Sequence, residues 1–285
     1  MESQHQYFFE LIREHPEDDM PRLIYADWLD EQGDPRGEFI RIQCELASLT
    51  FHDPVRLDMD KVAKLDKREH RLLKKYQKEW TTSLEAFRVQ KTKFHRGFLI
   101  EVDLCYDRHP KESPSNFFGH WNALIEREPA LSCVRLQLYR DWNEIQQLPP
   151  APQIQTLRFN NQALARREIS VLLGWPIIRG LSHLDLSLNN LRSGVECVAH
   201  APALDGLKTL DLSFNGIGTR GAKVLASSTY LRGLLSLDLR SNCIGQEGKQ
   251  KLRMAFGPRV QLGELNLRYA HGRTAFFRPR ATFHR

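Results

Sequence analysis

The chain has 285 residues, of which 41% are hydrophobic, and a formal net charge of +6. That length allows one large elongated domain or two ordinary ones, and the apolar content suffices for a core, which excludes wholesale disorder. The five cysteines are odd in number and far apart with no CxxC pair, and no apolar run approaches the roughly 18 residues of a membrane span, so a soluble cytoplasmic protein is expected. Glu2, Glu10, Arg13 and Glu14 leave no signal-peptide core at the N-terminus.

Residues 5–14 place Tyr7, Phe8, Leu11 and Ile12 on one face of a short helix. Pro16 and the acidic Glu17-Asp18-Asp19 end it and offer an N-cap for a second helix, where Pro21 is tolerated because first-turn amides have no helical partner. Leu23, Ile24, Trp28 and Leu29 form the expected buried stripe of that helix, and Gly33 stops it. Asp34-Pro35 restarts the chain as cap and first residue, with Glu38 near the positive end and Phe39, Ile42, Leu46 and Leu49 recurring at helical spacing. Residues 1–50 therefore read as an all-α domain of three helices.

The run Pro21-Arg-Leu-Ile-Tyr-Ala-Asp-Trp-Leu-Asp-Glu-Gln-Gly-Asp-Pro-Arg-Gly-Glu-Phe-Ile-Arg-Ile-Gln43, closed by Glu45-Leu46, resembles a small bacterial repeat-companion domain. That domain precedes leucine-rich repeats in large paralogous families of certain environmental bacteria. Arg68-Glu-His-Arg-Leu-Leu, Trp80, Arg96-Gly-Phe98 and Phe256-Gly-Pro-Arg-Val260 resemble the same family, so the likeness spans most of residues 5–267. It implies an architecture and no catalytic activity.

Residues 51–93 read as a connecting basic amphipathic helix. Lys61 to Glu79 holds eight Lys/Arg against three Asp/Glu, with Val62, Leu65, Leu72, Tyr76 and Trp80 on an apolar face. Such a helix either contacts nucleic acid or an acidic partner, or is the solvated face of an ordinary amphipathic helix.

The strongest pattern follows. Leu181 to Leu191 reads Leu-Ser-His-Leu-Asp-Leu-Ser-Leu-Asn-Asn-Leu, and the pattern returns at Leu207–Ile217 and Leu234–Ile244 with Asn215 and Asn242 at the ninth position. This is the leucine-rich-repeat pattern. Worn copies begin at Leu99, Leu131, Ile154 and Leu262, giving seven strands at steps of 32, 23, 27, 26, 27 and 28 residues. The long first step holds the 109–115 loop and a helix with Phe117, Trp121, Leu124 and Ile125; the short second one, with Pro149, Pro150 and Pro152, has room only for an irregular return. Ala222, Leu225 and Ala226, then Leu252 and Phe256, mark helical returns.

The expected fold is thus an α/β leucine-rich-repeat solenoid over residues 94–267. It is a short horseshoe of the ribonuclease-inhibitor kind, with parallel strands inside and helices outside, behind the N-terminal helical domain. Each Leu-x-Leu strand buries its leucines only by stacking on neighbours, at roughly 1.5–3 kcal/mol per side chain. The ninth-position asparagine can satisfy backbone groups left unpaired by the turn. Residues 268–285 form a tail with five arginines, no acid, and Tyr269, Phe276, Phe277 and Phe283. It could cap the last repeat, fray, or bind RNA.

In-register strands turn equivalent positions into columns about 4.8 Å apart. Between the last two apolar positions stand Asp103, Arg135, Arg158, Asp185, Asp211, Asp238 and Asn266. Two residues earlier come Glu101, Cys133, Thr156, His183, Thr209, Ser236 and Glu264, and two later Cys105, Gln137, Asn160, Ser187, Ser213, Arg240 and Arg268. The inner face should carry a basic patch at Arg135 and Arg158 and an acidic row at Asp185, Asp211 and Asp238. Like charges side by side are unfavourable, and a partner bearing Lys or Arg would relieve them. The row is equally consistent with inherited repeat consensus.

His183, Asp185 and Ser187 share a face, but separations of roughly 6.5–7 Å along a strand are too long for a hydrogen-bonded triad. No metal-ligand spacing, HExxH, GxSxG, Walker or dinucleotide motif occurs, and Cys44 sits within an apolar helical pattern. The reading is a non-catalytic scaffold without cofactor or metal. It binds an unknown protein partner through Asp185, Asp211, Asp238, His183, Arg135, Arg158, Arg240 and Asn266. Changing the three aspartates to lysine is expected to abolish capture and spare the fold. The alternative is RNA association through helix 61–79 and the tail.

Overall fold

The Leu-x-Leu spacing places one leucine of each repeat at the centre of a three-residue strand, and stacking fixes the rest. The computed structural model describes residues 2–50, 58–106, 115–138 and 142–264. One sheet of eight strands runs in chain order: β1 (Arg88–His95), β2 (Phe98–Tyr106), β3 (Cys133–Leu138), β4 (Thr156–Arg158), β5 (His183–Asp185), β6 (Thr209–Asp211), β7 (Ser236–Asp238) and β8 (Val260–Gln261). β2 to β8 are parallel, whereas β1 pairs antiparallel with β2. Val134, Leu157, Leu184, Leu210 and Leu237 stand side by side in one core column, each at most 2% exposed.

The returns behind the sheet are α5 (Ser115–Arg127), a 3-10 segment at Trp142–Gln147, α6 (Arg166–Leu173), α7 (Val195–Ala199), α8 (Thr219–Ser227) and α9 (Gln246–Phe256). Trp121 and Leu124 of α5, Leu225 of α8 and Leu252 of α9 are completely buried against the strands. Among its described residues the return of the proline-containing second step is the 3-10 segment alone.

The turns after β4, β5, β6 and β7 are built alike. The third residue after the strand's last one is left-handed although it is not glycine: Asn161 (φ 60°), Leu188 (57°), Phe214 (55°) and Ser241 (55°). This conformation costs about 1–2 kcal/mol for an L-residue, so something must hold it. The next residue does. Asn215 is 1% exposed and donates through Nδ2 to the carbonyls of Leu186, Leu212 and Ser213, at 2.9, 3.1 and 3.1 Å. Asn189 and Asn242 do the same one repeat either side. In the worn repeat Gln162 takes the place, accepting from Leu138 N–H (2.9 Å) and donating to Leu136 O (2.6 Å).

Ahead of the sheet lie α1 (Glu2–Glu14), α2 (Met20–Glu31), α3 (Arg36–Thr50) and α4 (Met59–Trp80). Asp18 Oδ1 accepts Met20 N–H, and Asp34 Oδ1 accepts Arg36 N–H, so aspartates open α2 and α3 as anticipated. Of the expected stripe on α2, Leu29 is buried and Leu23 and Trp28 pack partly buried on the helical core, whereas Ile24 does not. Tyr25, Ala26, Leu29 and the aliphatic stem of Arg22 are buried, and Ile24 is 51% exposed. The cause is Arg22, whose guanidinium donates to Asp18 O and Pro16 O and so turns that face inward. Tyr25 packs on Phe9 and Phe98, which ties the helices to the first parallel strand.

That docking rests on Gly97. It has φ +83°, its amide donates to buried Gln43 Oε1 at 2.7 Å, and a Cβ there would meet Ile40 Cα at 2.7 Å. Two further differences concern the ends of the sheet. Residues 88–93, assigned from the sequence to the connecting stretch, are strand. Among the described residues the last strand is Val260–Gln261, and Val260 stands beside Leu237 where sequence spacing put Leu265, because Gly257 (φ 57°) and Pro258 reverse the chain directly after α9. Leu262 thereby follows Gln261 as Leu239 follows Asp238, and packs partly buried on the core. Residues 265–285, with Asn266 and the basic tail, lie outside the described residues.

Candidate functional site

The face of the sheet opposite the leucine column is polar throughout. The register Asp103–Arg135–Arg158–Asp185–Asp211–Asp238 is continuous, as is Glu101–Cys133–Thr156–His183–Thr209–Ser236. Gln261 occupies the position beside Asp238 that sequence spacing gave to Asn266.

Geometry changes the expected charge map in two places. The basic patch is already neutralised: Arg158 Nη1 donates to Glu101 Oε1 at 2.6 Å across the intervening β3, and Arg135 Nη1 lies 3.6 Å from Asp103 Oδ2. Lys91 of β1 reaches the same Glu101 at 3.6 Å. Burial alone would raise the Glu101 pKa, but the Arg158 hydrogen bond and the charges of Arg158, Lys91 and Lys93 win and hold it below the ordinary value. Glu101 is the hub of this network; the repeat period places it in a column but does not pair it, since Arg158 lies 57 residues away and Lys91 sits on a strand outside the repeats.

The acidic row is also shorter than it reads. Arg240 folds back on Asp238, with Nε at 3.0 Å from both carboxylate oxygens and Nη2 on Oδ2, leaving Asp238 only 9% exposed. Among the described residues Asp185 and Asp211 have no ion-pair partner. Asp211, in the middle, has its pKa raised from 3.8 to about 6, chiefly by burial and then by Asp185. Each aspartate also closes its own turn: Oδ1 accepts the amide two residues on, from Ser187, Ser213 or Arg240, at 2.9 Å. Lysine at these positions would remove those caps, so a triple lysine variant would disturb the turns as well as the surface charge, contrary to expectation.

His183 is exposed, and its Nδ1 lies 2.6 Å from Thr209 Oγ1 across the strand pair, not against Asp185 or Ser187. Cys44 is buried in the helical unit, and burial first, then Asp19, pushes its thiol up to about 12, which makes it a poor nucleophile at neutral pH. The basic residues of α4 are partly engaged within the unit. Lys61 pairs with Glu45 at 2.5 Å, Arg68 with Glu38, and Lys75 sits over Tyr76. Among the described residues no helix is long and apolar enough to cross a membrane.

Parallel strands repeating every 23–27 residues, a buried leucine column, an asparagine at the turns after β5, β6 and β7 and helical returns together define a leucine-rich-repeat fold. The Leucine Rich repeat family matches two of the repeats, at residues 207–226 and 232–252. No curated protein matches the chain. Among solved structures, an internalin from Listeria monocytogenes is similar over 59% of this chain at 15% identity, with a TM-score of 0.35. The chain spans 48%, about half, of that protein's length.

Proposed function

We propose that the chain is a non-catalytic scaffold that binds another protein on the polar, concave face of a short horseshoe of repeats. The carrying observation is the pair Asp185 and Asp211, neighbours on adjacent strands with no ion-pair partner among the described residues. A partner segment bearing Lys or Arg would relieve their repulsion. Stacked repeats give a wide preformed surface, which limits the ordering entropy lost on binding. The N-terminal helices close one end of the sheet and supply a second docking surface. All five cysteines are free, which supports a reducing compartment.

The test uses photo-crosslinking side chains at Thr156 and Ser236 on the polar face and at Met254 on α9. In lysate of the source cells, one protein should crosslink from the first two positions and not from the third. The double variant Asp185→Asn with Asp211→Asn keeps both turn caps and removes both charges, and should lose that crosslink. A crosslink of equal strength in this variant removes the acidic pair from the reading.

A further inference from the structure

Away from the polar face, at the edge where chain leaves the strands for the helices, lies a pocket of about 420 Å³. Arg166, Arg192, Arg220, Glu196 and Ser193 line it, over a floor of glycines. Its volume falls in the range of small-ligand sites.

The cations come from three successive returns: Arg166 opens α6, Arg192 begins the 3-10 turn Arg192–Gly194, and Arg220 lies in the first turn of α8. Glu196 holds two of them, with Arg166 Nη1 at 3.2 Å from Oε2 and Arg220 Nε at 3.5 Å from Oε1. Among the described residues the Arg192 guanidinium has no carboxylate or carbonyl partner. Three guanidiniums against one carboxylate leave two positive charges on this pocket.

Gly221 packs on Val195, and the other two lining glycines leave room for close approach. Gly216 is left-handed (φ +63°), and a Cβ on Gly218 would meet nothing within 4 Å. Gly218 is also the N-cap of α8 and supplies no side-chain acceptor to that helix's first amides. A monocarboxylate would satisfy half of the excess charge. A phosphate monoester carries about −1.5 to −2 at neutral pH and offers three oxygens to forked guanidiniums.

We propose that this pocket binds a phosphate monoester dianion, held by Arg192 together with Arg166 and Arg220. The group could arrive on a free small molecule or on a phosphorylated side chain of a bound protein, and the two sources are separable by experiment. Calorimetric titrations of the full chain would use inorganic phosphate, glycerol 3-phosphate and a phosphoserine peptide, with the unphosphorylated peptide as control. One-to-one binding of at least one phosphorylated probe is expected. Tighter binding of glycerol 3-phosphate points to a small molecule, and tighter binding of the phosphopeptide to a modified partner.

Arg192→Ala should weaken that binding roughly tenfold or more, the usual scale for a charged hydrogen bond. Gly218→Glu, placed where the backbone is unstrained and space is open, should abolish it. Thermal unfolding checks that both variants are folded, and Arg167→Ala, one residue from the pocket lining, should bind like the parent. No binding of any phosphorylated probe at about millimolar concentration, where the affinity would be only about 4 kcal/mol, overturns the proposal. So does parental affinity in folded Arg192→Ala and Gly218→Glu.

Discussion

Glu128, just past α5, offers the sharpest test of the packing between helical unit and repeats. It is 2% exposed; Ser83 Oγ donates to its Oε1 at 2.6 Å, and Oε2 has no hydrogen-bond partner among the described residues. Burial disfavours the carboxylate more than Arg36, Ser83 and Arg127 favour it, and the pKa rises from 4.5 to about 7. The folded state therefore keeps its proton where the unfolded chain has released it. Stability from this group is full below 4.5, falls as pH climbs to about 7, and is level above that. The loss corresponds to about 3 kcal/mol. Glu128→Gln cannot ionise and still presents an oxygen to Ser83. Urea unfolding followed by tryptophan fluorescence should show the variant gaining on the parent by about 3 kcal/mol between about pH 4 and about pH 8. A difference that stays constant with pH, or a parent that gains instead, would refute the reasoning. In the second case Arg36 would be pairing with the ionised carboxylate.

Asn215→Ala removes one of two donors from each of three carbonyls, Leu186 O keeping Asn189, Leu212 O keeping Asn242 and Ser213 O keeping the Leu188 amide, and should lower unfolding stability by about 1–3 kcal/mol in the same assay. Gly97→Ala forces a Cβ into Ile40 at a left-handed backbone position; a loss of about 2 kcal/mol or more is expected in thermal unfolding. An unchanged midpoint would mean that the helical unit is not docked as described. Asp211→Asn retains the Ser213 cap and loses the charge. Its stability relative to the parent should rise as pH passes from 3.8 to about 6 and no further, because the parent's carboxyl ionises at a penalty across that window.

Much of the fold was legible because leucine-rich repeats encode geometry locally. The spacing of Leu181, Leu184 and Leu186 makes a strand with one buried face, and its return at Leu207 and Leu234 sets the register of every neighbour. Leu262 misled for the same reason: its spacing to Leu265 fits the template. The tight reversal at Gly257 and Pro258, which brings the strand forward to Val260, breaks no apolar period. The helical pattern of α2 likewise could not reveal that Arg22 points inward, since its carbonyl partners at Pro16 and Asp18 define that face.

Sequence alone determined which residues of β2 to β7 share the polar face, because in-register stacking turns a one-dimensional period into columns. Tertiary structure alone decided which of those residues remain available. Arg158 finds Glu101 two strands away, Lys91 arrives on an antiparallel strand that the repeat pattern does not include, and Arg240 covers Asp238. Leucine positions repeat because each one meets the same neighbour in every repeat. Charged side chains between them meet a different neighbour each time, and only the assembled sheet says which charges cancel.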